Sequence, residues 1–165
     1  MKVTFNIISA AVALLVLCGM AYGGQVADSV LVIKSEARLY LMREGRELGS
    51  FKVAFGSNPK GHKQEQGDER TPEGRYILDH KNPHSKYYKS IHISYPNAQD
   101  RANARKRGVD PGGDIMIHGQ ANGYERFSFI AQLFNWTNGC IALSNSDMDV
   151  VWQAIIPGTP IEIRP

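Results

Sequence analysis

Short apolar segments separated by turn residues run along most of this chain, and their spacing limits the possible folds more than any other feature. Residues 31–33 and 39–41 are apolar, and in the predicted strand at 48–55 Phe51, Val53 and Phe55 alternate with Lys52 and Ala54, as a strand with one buried face does. Further strands are predicted at 75–78, 91–94, 115–117, 141–143 and 161–163. The pattern predicts a mainly β fold with a few peripheral helices, arranged as a mixed β-sandwich or a partly open barrel.

Helical and loop patterns lie between these strands. Residues 98–107 form a short basic segment, for which a solvated helix face is the simpler interpretation, and residues 127–134 form an apolar helical one. Ser144 can cap another helix, whose apolar residues recur at i, i+3, i+4 and i+7: Met148, Val151, Trp152 and Ile155. The polar residues 56–71 predict a loop, either a plain surface excursion or a flap over a site.

The first 23 residues have the pattern of a secretory signal peptide. Lys2 precedes an apolar stretch at 7–17, and small residues follow: Gly19, Ala21, Gly23 and Gly24. The stretch is too short to span a bilayer comfortably. We expect cleavage after residues 1–23, which leaves residues 24–165 as a single domain without a membrane segment. A lipoprotein anchor at Cys18 and an uncleaved membrane anchor are the alternatives.

The net charge excludes few classes of binding partner. The formal net charge is +3, and it falls to +2 on cleavage because Lys2 is the only charged residue among the first 23. This weak positive balance does not demand a nucleic-acid partner, and we predict none. It is compatible with an anionic polymer such as a bacterial cell wall. We expect an exported protein of the periplasm or cell envelope.

Cys140 is the one thiol that remains once Cys18 is removed. An internal disulfide is then impossible, so Cys140 is a leftover, an intermolecular crosslinker or a nucleophile. An unpaired thiol in an oxidising compartment is a liability unless it is used or well buried, which favours the nucleophile. A small buried apolar residue is the structural alternative.

A cysteine nucleophile needs partners, and the sequence offers them. His118, at the predicted end of a strand, can take the thiol proton and later return one. Gly139 permits a tight bend, and the amides of Gly139, Cys140 and Asn138 are candidates for an oxyanion hole. A backbone carbonyl near Gly119 can orient the imidazole, since no carboxylate stands close by in sequence.

A metal site is the other chemical interpretation of the histidines, and the spacing argues against it. His80 and His84 are close together, but they flank Asn82-Pro83, which breaks any helix that would align them. The sequence has no CxxC or HExxH pattern. We predict no metal and no cofactor.

Two motifs near the end of the chain carry a family resemblance. His118-Gly119 is followed, after a spacer, by Thr-Asn-Gly-Cys-Ile at residues 137–141. At these residues the chain resembles the L,D-transpeptidase catalytic domain, also called YkuD, in which a histidine-glycine precedes Ser/Thr-x-Gly-Cys and an aliphatic residue. The similarity extends over nearly all of residues 30–163 and includes three further stretches, at 71–76, 91–97 and 113–120.

The resemblance implies a role for each matching residue and the fold of that family. Cys140 would be the nucleophile and His118 the proton donor and acceptor. Gly119 would orient His118 through its backbone, Gly139 would form the oxyanion hole, and Thr137 would help Gly139 to shape the cysteine loop. Substrate binding would fall to Thr137, Asn138 and His92.

The same resemblance implies an exported acyltransferase of peptidoglycan. Cys140 would form a thioester with a tetrapeptide stem, releasing D-Ala, and pass the acyl group to an amine. A hydrolase that gives the acyl group to water is the alternative, as is a non-catalytic wall-binding protein. Stem peptides are the expected partners, with a wall-attached protein as a further one. Asn138 and Ala142 replace the His and Arg of many members, which leaves the acceptor open.

Overall fold

The computed structural model describes residues 25–123 and 132–165. It contains eight strands, β1 Ser29–Ile33, β2 Arg38–Arg43, β3 Arg46–Lys52, β4 Gly74–Ser85, β5 Tyr88–Ile93, β6 Met116–His118, β7 Ile141–Ala142 and β8 Thr159–Arg164, within the described ranges. Its helices are α1 Ala98–Arg107, α2 Asn145–Ala154 and a short 3-10 turn, Lys34–Glu36. The predicted signal peptide lies outside the described residues.

All eight strands form one mixed sheet in the order β3-β2-β1-β8-β4-β5-β6-β7. The pairs β1–β8 and β6–β7 are parallel, and the others are antiparallel. The two ends of this order meet, because Ala54 beyond β3 and Ala142 in β7 exchange backbone hydrogen bonds of 2.9 and 2.8 Å. The sheet therefore curls into a half-barrel, and the predicted mainly β, partly open barrel is confirmed.

The core lies inside the curl and beneath α2. Alternate residues of the central strands are at most 2% exposed, and they include Val32, Leu39, Ile91, Ile93, Ile117, Ile161 and Ile163. Met148, Val151 and Ile155 close the core from α2 as predicted, while Trp152 is only half-buried. Ser144 caps the start of this helix, accepting from the Asp147 amide at 3.1 Å.

The basic segment is α1, with the predicted bounds. Its first turn has a capping box between Asn97 and Asp100, and the Asp100 carboxylate also accepts from Tyr76 at 3.1 Å and lies 3.1 Å from His62. The basic side chains are exposed: Arg101, Arg105, Lys106 and Arg107. The solvated-face interpretation therefore fits.

Part of the predicted apolar helix at 127–134 lies outside the described residues, and residues 132–134 form a turn. None of the helices in the described ranges is both long and apolar enough to span a bilayer.

The loop at residues 56–71 is ordered around one buried carboxylate. Asp68 accepts from Lys63 at 2.8 Å and from the amides of Gln64, Glu65 and Arg70 at 2.7, 3.2 and 3.1 Å. Burial by itself would raise the pKa of Asp68, but these hydrogen bonds outweigh it and hold the pKa below its ordinary value. Hydrogen bonds to the Asp68 carboxylate therefore hold the loop in one conformation.

The substitution Asp68→Asn tests how much these hydrogen bonds stabilise the fold. The lowered pKa means that Asp68 stabilises the fold fully above its unfolded pKa of about 3.9, and loses that contribution as the pH falls through the folded value. We expect the variant to lose about 1–3 kcal/mol of unfolding free energy at pH 7. Its unfolding free energy should also fall less steeply than that of the parent protein as the pH is lowered. Urea unfolding between pH 2 and 7 measures both. Glu65→Gln, an exposed carboxylate of the same loop, is the control and should match the parent protein.

Candidate active site

The strand register brings His118 and Cys140 to one face of the sheet. In the parallel pair β6–β7, Ile117 lies opposite Ile141 and His118 opposite Ala142. Extending this register by one pair places Cys140 beside Met116, on the face that carries His118. From the spacing of neighbouring strands and of alternate residues, the two Cα atoms are about 8 Å apart. Two side chains on one face can meet across that distance.

Both side chains line one pocket of about 370 Å³. The β4–β5 hairpin contributes His84, Lys86 and Tyr87 to its wall. Cys140 is half-buried, so its thiol is open to this pocket. In the described part of the chain the thiol donates to the Asp114 carbonyl, 3.6 Å away, and has no hydrogen bond to the imidazole.

The hydrogen bond of His118 fixes its tautomer. Nδ1 lies 2.7 Å from the carbonyl oxygen of Gly119, and a carbonyl can only accept, so Nδ1 carries the proton. Nε2 is left as the basic nitrogen. The carbonyl is the type of orienting group expected near Gly119.

The resting imidazole and thiol are both neutral. Burial lowers the pKa of His118, and the Gly119 hydrogen bond opposes this only in part. Burial also raises the pKa of Cys140, which the Met116 amide opposes and the Asp114 charge reinforces. The site therefore holds a protonated thiol beside a neutral base rather than a preformed thiolate.

Thr137 stabilises residues 137–140, the cysteine loop, by hydrogen bonds made on its buried side. Its hydroxyl donates to the Cys140 carbonyl at 2.7 Å and accepts from the Gly139 amide at 3.2 Å, and the residue is only 5% exposed. The side chain is buried and already paired, so it shapes the loop, and substrate binding by Thr137 stays a prediction.

Gly139 bends the loop where no other residue fits. Its φ is +124°, and a Cβ there would lie 2.7 Å from the Arg70 carbonyl oxygen and 3.2 Å from Ile115 Cδ1. Its amide is used by Thr137. Over residues 25–123 and 132–165 the amides of Asn138 and Cys140 have no acceptor, so these two N–H groups are the available oxyanion donors.

Asn138 and His92 occupy different positions relative to the pocket. Asn138 is exposed and lines a second cleft, of about 650 Å³, which shares Asp114 with the first. His92 pairs with Met116 across β5–β6, but it does not line the pocket, and its Nδ1 lies 2.7 Å from Asp79. The residue is thus on the catalytic face but directed to a neighbouring carboxylate.

With this geometry described, comparison with known proteins gives the family. The family profile for the L,D-transpeptidase catalytic domain, YkuD, matches residues 27–163. The chain belongs to this family. The YafK protein of Escherichia coli (strain K12) is 34% identical over 119 residues, which cover 68% of this chain and 41% of YafK.

Solved structures agree with this membership. The helical cell shape determining protein Pgp2 of Campylobacter jejuni has a TM-score of 0.62 and 28% identity, over 81% of this chain and 46% of Pgp2. An L,D-transpeptidase from Mycobacterium tuberculosis H37Rv has a TM-score of 0.54 and 17% identity, over 83% of this chain and 57% of that one, and shares the fold. The chain thus spans less than half the length of YafK and Pgp2.

The β4–β5 hairpin is the part of this L,D-transpeptidase-family site that sequence reasoning missed. The predicted strand at 75–78 ends early, whereas β4 continues through Asn82-Pro83 to Ser85. The chain then turns at Lys86 and Tyr87 and enters β5. The sequence signal that could have revealed this hairpin is a polar segment between two segments that both favour strands.

Within the described ranges, no three His, Cys, Asp or Glu side chains converge as metal ligands would.

Gly139→Ala tests the loop geometry, with Gly45→Ala as its control. Both glycines have positive φ, but a Cβ on Gly45 meets nothing within 4 Å. The control should lose about 1–2 kcal/mol, the cost of the left-handed backbone. Gly139→Ala should lose more, because the new methyl group also clashes with Arg70, and its thiol should change in reactivity. Equal losses in unfolding free energy and unchanged thiol labelling would contradict this account.

The raised pKa of Cys140 predicts the pH dependence of its alkylation. In a Cys18→Ser background, the iodoacetamide rate should rise with a midpoint above the ordinary thiol value of about 8.5. The sign follows from burial, which favours the protonated thiol over the thiolate. A midpoint near or below pH 7 would show instead a thiolate–imidazolium pair in the resting protein.

Proposed function

We propose that this chain is an exported cysteine acyltransferase of peptidoglycan, an L,D-transpeptidase that acts through a Cys140 thioester. One observation carries the proposal: Cys140 and His118 line the same pocket, and the imidazole Nε2 is the unprotonated nitrogen because Nδ1–H donates to the Gly119 carbonyl. Membership of the L,D-transpeptidase family supports the substrate class, since the family acts on peptidoglycan stem peptides. The signal-like first 23 residues support a location in the periplasm or cell envelope.

The first half-reaction forms the thioester. His118 Nε2 takes the thiol proton as Cys140 Sγ attacks the carbonyl that joins diaminopimelate to D-Ala in a tetrapeptide stem. The amides of Asn138 and Cys140 stabilise the oxyanion of the tetrahedral intermediate. The C–N bond then breaks, His118 returns the proton to the departing amine of D-Ala, and the acyl group stays on sulfur.

The second half-reaction transfers the acyl group. An amine, such as the side-chain amine of a second diaminopimelate, attacks the thioester carbonyl and gives a proton to His118. The C–S bond breaks, and the thiolate recovers that proton. The product is a 3→3 crosslink between two stems, or an attachment to a protein if the amine belongs to a wall-bound partner. A neutral resting pair suits this sequence, because His118 must start each half-reaction as a base.

Replacement of the nucleophile and of the base tests the proposal. Cys140→Ala should abolish the covalent adduct with purified tetrapeptide muropeptides, seen by intact-protein mass spectrometry. His118→Asn should slow adduct formation by about 10²–10⁴-fold, because the thiol then lacks its base. His80→Asn, an exposed histidine outside the pocket lining, is the matched control and should react at the parental rate.

The products of the same incubation decide the acceptor. Crosslinked dimers support transfer to an amine, whereas trimmed monomers alone would show that water is the acceptor and that the enzyme is a hydrolase. Full turnover by Cys140→Ala would refute the mechanism altogether.

A further inference from the structure

The turn of the β4–β5 hairpin is tied to the segment that follows His118. The Asn122 amide donates to the Lys86 carbonyl at 3.1 Å, and the Asn122 side-chain oxygen accepts from the Tyr88 amide at 2.9 Å. The Gly119 amide donates to the Tyr87 carbonyl at 3.1 Å. The position of Tyr87 is therefore fixed relative to the histidine by backbone contacts on both sides of the turn.

The ring of Tyr87 lies against the imidazole. The two ring centroids are 4.6 Å apart with their planes at 37°. Trp136 completes the contact from another side, with its centroid 5.8 Å from that of His118 and nearly edge-on. His118 is only 4% exposed, whereas Tyr87 is 40% exposed, so the tyrosine ring lies on the solvent side of this group. Tilted and edge-on ring pairs at such distances are favourable beyond the area that they bury.

Gly119 leaves room for this arrangement. A Cβ at Gly119 would lie 2.9 Å from Tyr88 Cβ and 2.6 Å from Asn145 Oδ1. The close approach of the hairpin to the residue after His118 therefore requires glycine, which gives Gly119 a packing role in addition to its carbonyl.

We propose that Tyr87 is a positioning residue for His118: its ring packs at a tilt against the imidazole, holds it in place and shields it from water while Nε2 remains open to Cys140. This inference rests on the proposed function, in which His118 is the general base. The hydroxyl of Tyr87 has no hydrogen-bond partner among the described residues, so the aromatic face carries the role.

The charges around the imidazole do not account for its neutrality. The titratable groups that share its pocket are His84 and Lys86 on the hairpin, Asp114 before β6, and Cys140. Of the two influences on the pKa of His118, burial lowers it and the Gly119 hydrogen bond raises it, with no charged neighbour among them. Removing the shielding ring should therefore raise this pKa toward the ordinary value of about 6.5.

The experiment is an NMR titration of ¹⁵N-histidine-labelled protein, which needs no turnover. Tyr87→Ala should raise the His118 pKa relative to the parent protein, and Tyr87→Phe, which keeps the ring, should retain the parental value. Tyr87→Ser, which also removes the covering ring, serves if Tyr87→Ala does not fold, and it should raise the His118 pKa in the same way. The His118 signal is assigned with His118→Asn, and the other histidines are internal references.

Acylation kinetics provide the second readout. Tyr87→Ala should lower kcat/KM by roughly 10- to 100-fold. The acid limb of its kcat/KM profile against pH should move to higher pH by the same amount as the His118 pKa measured by NMR. Tyr87→Phe should restore most of the rate and the parental limb, and Tyr40→Ala, a tyrosine outside the pocket, should behave as the parent protein. An unchanged His118 titration in Tyr87→Ala would overturn the inference. A parent protein that titrates as expected but forms no adduct would instead refute the proposed function.

Discussion

The meeting of the two ends of the sheet is the constraint on which the site depends. Ala54 and Ala142 exchange two backbone hydrogen bonds, and Thr137 is bonded on both sides to the same segment, through Phe55 and Ser57. These contacts attach both sides of the cysteine loop, at Thr137 and at Ala142, to the segment that follows β3. Cys140 is therefore placed by backbone hydrogen bonds in the barrel wall rather than by contacts of its own side chain.

A departure from the family pattern lies at this closure. Ala142 is fully buried in the seam opposite Ala54, where many members of the family have arginine. Of the residues that line the pocket of Cys140 and His118, Lys86 of the hairpin carries a positive charge, so the chain places a cation there from a different element.

Burial sets the chemistry of the site as well as its geometry. It disfavours charge on both groups, because it lowers the pKa of His118 and raises that of Cys140, and so it favours a neutral imidazole and a protonated thiol. A protonated thiol is less readily oxidised than a thiolate. A single unpaired cysteine is thus compatible with an oxidising compartment, the circumstance that first marks Cys140 as unusual.

Local sequence predicted the strands, both described helices and the two side chains, Cys140 and His118, that the fold brings to one pocket, because periodicity, capping residues and a rare thiol are properties of short segments. The surroundings of Thr137 and His92 were decided only by the tertiary structure, which buries one hydroxyl under the cysteine loop and places one imidazole beside Asp79. The position of Tyr87 over His118 was decided in the same way, since it depends on how far β4 runs past Pro83 and on where the hairpin folds back. Such contacts join residues distant in sequence, and no local pattern encodes the distance between them.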